Sequence, residues 1–169
     1  MRLSSNNINE TSPYWVIQLN DMSFRFKTDN GVIYIVGFYA DRFFSIDGAY
    51  HFYIKNANGL HAPNDPKILQ VITAVIEEFF RYNPLVMLYI CDPKDHRQAA
   101  RNRLYIHWFE NYINRSEFRF YSESVEFESV DYYAGLIMHK DNPYYEDVVS
   151  TFHEIVKDLP EQMIGPKSE

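Results

Sequence analysis

The chain has 169 residues, 46% of them hydrophobic and 17% aromatic, enough to bury one good core and too few for two ordinary domains. A formal charge of −7 argues against a broad phosphate-binding face, so DNA or RNA is not expected as a partner. No stretch approaches the ~18 uninterrupted apolar residues that span a bilayer, the polar start lacks an apolar h-region, and the single cysteine, Cys91, can form no internal disulfide; a soluble, cytoplasmic protein without membrane attachment is expected.

Residues 1–12 are polar and read as a flexible N-terminus, 13–160 as a single α+β domain and 161–169 as a polar tail. YWVIQL is a candidate short strand. FRF (24–26) and VIYIVGFY (32–39) flank TDNG, whose Asn30-Gly31 pair is suited to the positive φ angles of a hairpin turn. Asp47-Gly48 marks a second turn before AYHFYIK (49–55), which makes the first third an antiparallel meander.

Ile68, Ile72, Val75, Ile76 and Phe79 recur at helical spacing behind Asp65 as N-cap and Pro66 at the first helical position, and Asn83-Pro84 ends that helix. LVMLYIC (85–91) is continuously apolar, as a central strand covered on both faces would be, and a helical crossover leading into it implies a parallel pairing. A second helix is expected over about 93–113, strands over 118–127 and 131–140, and a third helix from Pro143 to about Leu159 capped by Asn142. The fold expected is α+β, one mixed, mostly antiparallel sheet with about three helices in the order β-β-β-α-β-α-β-β-α.

The stretch with the most chemistry is CDPKDHRQAARNRLYIHWF, residues 91–109. Asp92 and Asp95 fall in the first turn of the expected helix, where a carboxylate accepts from free amides and suits the helix dipole. At 100° per residue Arg97, Arg101, Leu104 and Trp108 share one stripe, which places two guanidinium groups beyond the carboxyl end of a buried strand. Arg97, Arg101, Gln98, Asp92 and Asp95 therefore form a candidate pocket for an anion or other ligand. The alternative is that the arginines pair with the chain's own carboxylates, such as Glu123, Glu126 or Glu128. Cys91 at the strand end reads first as a small buried hydrophobe and second as a thiol activated by nearby positive charge. The six histidines show neither an i, i+4 pair nor a grouping with cysteine, so no metal site is indicated. Neither a G-x-S-x-G elbow nor a phosphate-binding glycine loop is present.

The same stretch, together with FRF…T-x-N-G…YIVGFY and the KDNP before the last helix, resembles a family of small Bacteroidota proteins, a resemblance that implies no activity. The element order is similar to the core of the GNAT N-acetyltransferases after their first strand, and RNRLYIHWF resembles that family's Asn…Ala…Leu-Tyr…Gly-Phe helix. This second resemblance implies Tyr105 as a general acid, with Gln98 in place of the asparagine; Arg101 stands where alanine is expected. GNAT enzymes hold the acetyl-CoA pyrophosphate with a glycine-rich loop at a helix start, where this chain has LHAPNDPKI. Pro66 removes a donor there and Asp65 adds a carboxylate. The expectation is thus a binding or regulatory module without a classical acetyl-CoA site and without a cofactor, whose partner is a protein or a small anionic ligand. The alternative is an N-acyltransferase that uses acetyl-CoA through an altered site, with Tyr105 as acid and Glu78 or His51 as base.

Overall fold

A computed structural model of the chain describes residues 1–82, 84–112 and 114–164. Four strands open the chain: β1 (Val16–Asn20), β2 (Ser23–Lys27), β3 (Ile33–Ala40) and β4 (Ala49–Asn56). Helix α2 (Pro66–Phe80) leads to β5 (Val86–Cys91), helix α3 (Gln98–Glu110) to β6 (Phe118–Phe127) and β7 (Val130–His139), and α4 (Tyr145–Ile155) and α5 (Leu159–Ile164) follow. A five-residue helix, α1 (Ser5–Asn9), precedes β1. The seven strands hydrogen-bond in the order β1-β2-β3-β4-β5-β7-β6. With β4 and β5 parallel and β5, β7 and β6 antiparallel, this is an α+β fold on one mixed sheet. The chain clusters into two compact units, Met1–Tyr39 with Phe52–Asn83, and Ala40–His51 with Pro84–Glu169.

In the first unit, alternation sends Phe24, Phe26, Val36 and Phe38 to one face, all nearly inaccessible. There the apolar stripe of α2 meets them, with Phe38 stacked on Phe79 at 4.3 Å between ring centroids. Asp65 caps α2 through its own carboxylate, which accepts from the Lys67 amide at 2.9 Å, and Pro66 follows in the first turn. In the hairpin between β2 and β3 only Gly31 has a positive φ, +80°. The turn closes through the Thr28 carbonyl, which accepts from the Gly31 amide, so Asn30 is not driven into the left-handed region.

Residues 1–12, expected to be mobile, hold buried side chains instead. Leu3 and Ile8 are 0% and 1% exposed. At the free edge of β1, the Asn9 side chain donates to the Val16 carbonyl at 2.9 Å and accepts from its amide at 2.8 Å, pairing that residue's outward-facing backbone as a neighbouring strand would. Glu78 of α2 anchors the same segment, accepting from the Ser4 amide at 2.9 Å and from the Asn7 side chain at 3.1 Å, with Arg81 at 2.8 Å. Composition hid this because the polar residues of the segment are spent on hydrogen bonds inside the fold.

In the second unit, β5 carries Val86 and Leu88 to one face and Met87, Tyr89 and Cys91 to the other, and all five are buried. The first face forms a core with Leu136 and Met138 of β7, Val148 and Phe152 of α4, and Leu159; α3 packs on β5 and β7. Phe44 and Ile46 join that core from the loop 41–46. Asp41 organises the loop: its carboxylate accepts from the amides of Phe43, Phe44 and Ile46 at 2.9 to 3.1 Å and from His51 Nε2 at 2.8 Å.

The two later helices depart from expectation at their starts. Pro93–Asp95 forms a 3-10 turn that His96 ends at φ 57°, so α3 begins only at Gln98. The expected end of this helix, at 113, and the Asn83 stop signal of α2 lie outside the described residues. Asn142 accepts from the Tyr144 amide at 2.9 Å, one turn of chain before α4, whose own N-cap is Tyr144. The third helix is also divided, α4 passing through the 3-10 turn Val156–Asp158 into α5, which takes in the first residues of the expected tail; 165–169 lie outside the described residues.

Candidate functional site

The candidate stretch is built in the second unit from the end of β5 onward. Asp92 caps the 3-10 turn, its carboxylate accepting from the Lys94 amide at 2.9 Å. Asp95 accepts from the Arg97 amide at 3.1 Å and from Arg101 Nη1 at 2.6 Å, while Arg101 Nη2 donates to the Asp92 carbonyl. One guanidinium thus bridges both ends of the turn, an arrangement its planar fork favours. Arg101 holds the Asp95 carboxyl down at about 2, and Asp95 in turn raises Arg101.

Of the predicted pocket residues, Asp92, Asp95 and Arg101 are therefore together: the Arg101 charge faces the Asp95 carboxylate, while the Asp92 carboxylate faces Lys94. The partner of Arg101 is Asp95; Glu123 instead contacts His153. Arg97 is exposed at the N-cap of α3 without a side-chain cap bond. Cys91 is fully buried, and burial pushes its thiol up to about 12 against the lowering pull of Arg101. A protonated, inaccessible thiol is no nucleophile.

The face that α3 turns to the sheet is one position round from the expected stripe. Leu104 is 42% exposed, while Asn102 is 7% exposed, so Gln98, Asn102, Tyr105 and Phe109 form the inner stripe. Apolar residues surround this helix, and their pattern does not choose a face; a polar demand inside does. Tyr89 on β5 donates its hydroxyl to Asn102 Oδ1 at 2.7 Å, and Ser122 of β6 donates to the same oxygen at 3.2 Å. The Tyr89 ring lies over Gly135 of β7, where a Cβ would come within 2.0 Å of it. Burial raises the Tyr89 hydroxyl far above its ordinary value.

Tyr105 packs edge-on against Tyr89 at 4.8 Å and lies beside Trp108 at 5.5 Å. Gln98 donates to the Asp131 carbonyl at 3.3 Å. Sequence reasoning did not find the Tyr89–Asn102–Ser122 cluster, because its members come from three elements and each is unremarkable alone. Nor did it find Asp41 as the partner of His51, a pair whose side chains are 2% and 1% exposed.

At the start of α2, in the first unit, Asp65 fills the place an anion would take. One carboxylate oxygen accepts from Lys67 N and the other from the Tyr14 hydroxyl at 2.6 Å. The candidate bases are also engaged: Glu78 by Ser4, Asn7 and Arg81, His51 by Asp41. Among the described residues no group of three or more His, Cys, Asp and Glu side chains could hold a metal ion, and no helix is long and apolar enough to cross a membrane.

Comparison with known proteins finds a family model that fits the chain. The model of a family described as a family of unknown function, DUF6169, fits residues 64–154, more than half of the chain, including α2, β5, α3, β6, β7 and nearly all of α4. No curated protein matches the chain.

Proposed function

The chain belongs to the DUF6169 family, a family of unknown function, and from that premise we propose that it is a soluble, cytoplasmic binding module on a GNAT-like core that performs no acyl transfer. The observation that carries this reading is the start of α2. There Pro66 offers no amide and the Asp65 carboxylate, held by Lys67 N and the Tyr14 hydroxyl, occupies the anion position with a negative charge of its own. A pyrophosphate at that helix start would meet repulsion instead of free donors. The GNAT-like part rests on the run of antiparallel strands, α2, β5, α3 and two further strands.

Acyl transfer would need Tyr105 within hydrogen-bond reach of a leaving thiolate and a base for the acceptor amine. Glu78 and His51, the two candidates for that base, are tied into structural hydrogen bonds, and both are buried.

Thermal melts of the full chain with millimolar CoA and acetyl-CoA test the reading. A ligand at 100-fold its Kd adds about 2.7 kcal/mol to stability, and no such rise is expected. A clear rise, accompanied by thiol release from acetyl-CoA that Tyr105→Phe abolishes, would replace this reading with the acyltransferase.

A further inference from the structure

The face of β1, β2 and β3 turned away from the Phe24 and Phe38 core is where apolar and cationic side chains are interleaved. Register sets Ile17 beside Arg25 and Arg25 beside Ile35; Lys27 lies beside Ile33, and Trp15, just before β1, falls at the level of Lys27. Trp15 is 73% exposed and Ile17 46%. Farther along the same unit, Tyr39 and Tyr53, with ring centroids 6.1 Å apart, wall a shallow open groove of about 480 Å³ that Lys55 also lines. Gly37, opposite Ser23, leaves the sheet beside that groove without a side chain.

The charge here runs against the rest of the molecule. The whole chain has 23 acidic residues against 16 Lys and Arg, yet the outward positions 17, 19, 25, 27, 33, 35, 37 and 39 hold no Asp or Glu. Among the described residues Arg25, Lys27 and Lys55 take part in no ion pair. At the free edge of β1, Asn9 occupies the outward backbone of Val16, whereas the exposed cations and apolar side chains all lie on the face itself, which makes the face the docking surface.

We propose that this face docks an amphipathic helical segment of a partner protein, its apolar stripe flanked by carboxylates, an inference that rests on the binding-module reading. Charge complementarity selects the occupant: carboxylates would meet cations now without partners, while the apolar side chains would cover Trp15, Ile17 and Ile35. The formal charge of −7 over the whole chain favours a protein segment over nucleic acid, whose binding draws on a broad cationic face. A second copy in two-fold arrangement would set these cations against themselves.

The test uses the full chain, isotope-labelled for amide and methyl NMR, and three synthetic amphipathic helical peptides with leucines on one face flanked by Glu, Gln or Lys. The Glu peptide should shift the Trp15 indole and the Ile17 and Ile35 methyls, and its affinity should fall at least tenfold in Arg25→Glu/Lys27→Glu. The Gln peptide should bind the parent at least tenfold more weakly than the Glu peptide. Should the double variant fail to fold, Trp15→Ala and Lys27→Gln provide the same reading with smaller losses. A Glu peptide that leaves this face unshifted, a Lys or Gln peptide that binds equally, an oligo-dT that displaces the Glu peptide, or a parent dimer dissociated by the double variant overturns the proposal. Acetyl-CoA is added to the same sample: shifts at Lys67 and Ile68 would overturn the binding-module reading, whereas silence toward both probes would overturn the docking face alone.

Discussion

Asp41 bears more of the second unit than its sequence neighbourhood hints. Burial by itself would raise its carboxyl, yet the His51 ring and the amides of Phe44, Phe43 and Ile46 bring it down to about 2. Asp41→Ala removes the acceptor for all of them at once and leaves buried donors unmet. The expected loss is on the order of 3 kcal/mol, since a buried donor left without its acceptor costs about 1–3 kcal/mol, read from urea unfolding of the two proteins. A loss under about 1 kcal/mol would show that the loop holds itself through Phe44 and Ile46 alone. Arg101 is the milder case. It is partly exposed and Asp95 more so, so Arg101→Ala should cost on the order of 1 kcal/mol. The loss should be the same with and without sulfate; a stable variant that has lost a sulfate response seen in the parent would make the turn an anion site.

Elements were legible in the sequence wherever local chemistry decides them. The turn signals Asn30-Gly31 and Asp47-Gly48 between the first strands, Asp65-Pro66 before α2 and the unbroken apolar run of β5 each name their own structure. What was not legible depended on partners far along the chain. The inner face of α3 follows Asn102 because Tyr89 of β5 needs an acceptor, and no periodicity within α3 contains that need. The N-terminal segment reads as polar and loose until Glu78 and the edge of β1 supply its partners. Candidate residues were legible as a set, since Asp92, Asp95 and Arg101 do meet, but the pairing of Arg101 with Asp95 goes with the 3-10 turn Pro93–Asp95, which the expected helix over 93–113 does not contain. Gly135 tests the packing between β7 and β5. Alanine there would place its Cβ 2.0 Å from a buried tyrosine ring, so Gly135→Ala should cost about 2–3 kcal/mol, as overpacked cores do. Adding Tyr89→Leu should recover part of that loss, so that the double variant costs less than the sum of the two single changes. Strict additivity would mean that Gly135 matters for another reason.

Across the whole molecule the shifted groups set the two limits of stability against pH. Asp41 titrates below its unfolded value, as do the more exposed Asp95 and Asp29. The folded state binds fewer protons there than the unfolded one, so their contribution is complete above pH ~4 and is lost as pH falls toward about 2. Cys91 and Tyr89 act in the opposite direction at the alkaline end. The buried thiol titrates at about 12 instead of 9.0, and the Tyr89 hydroxyl is raised as well. Above pH ~9 the unfolded chain loses protons that the folded chain keeps, and stability falls as pH rises, by at most about 1.4 kcal/mol per pH unit for one group. Urea midpoints of the parent, Asp41→Asn and Cys91→Ala from pH 2 to 11 separate the two limbs. Asp41→Asn should be less stable at neutral pH and flatter below pH 4, with its alkaline limb unchanged. Cys91→Ala should keep the acid limb and lose much of the slope between pH 9 and 10, before tyrosines begin to ionise in the unfolded chain. An alkaline slope in Cys91→Ala as steep as the parent's would mean that the thiol ionises in the folded protein near its ordinary value. It would then be accessible enough to react, and the end of β5 would return as a candidate for nucleophilic chemistry.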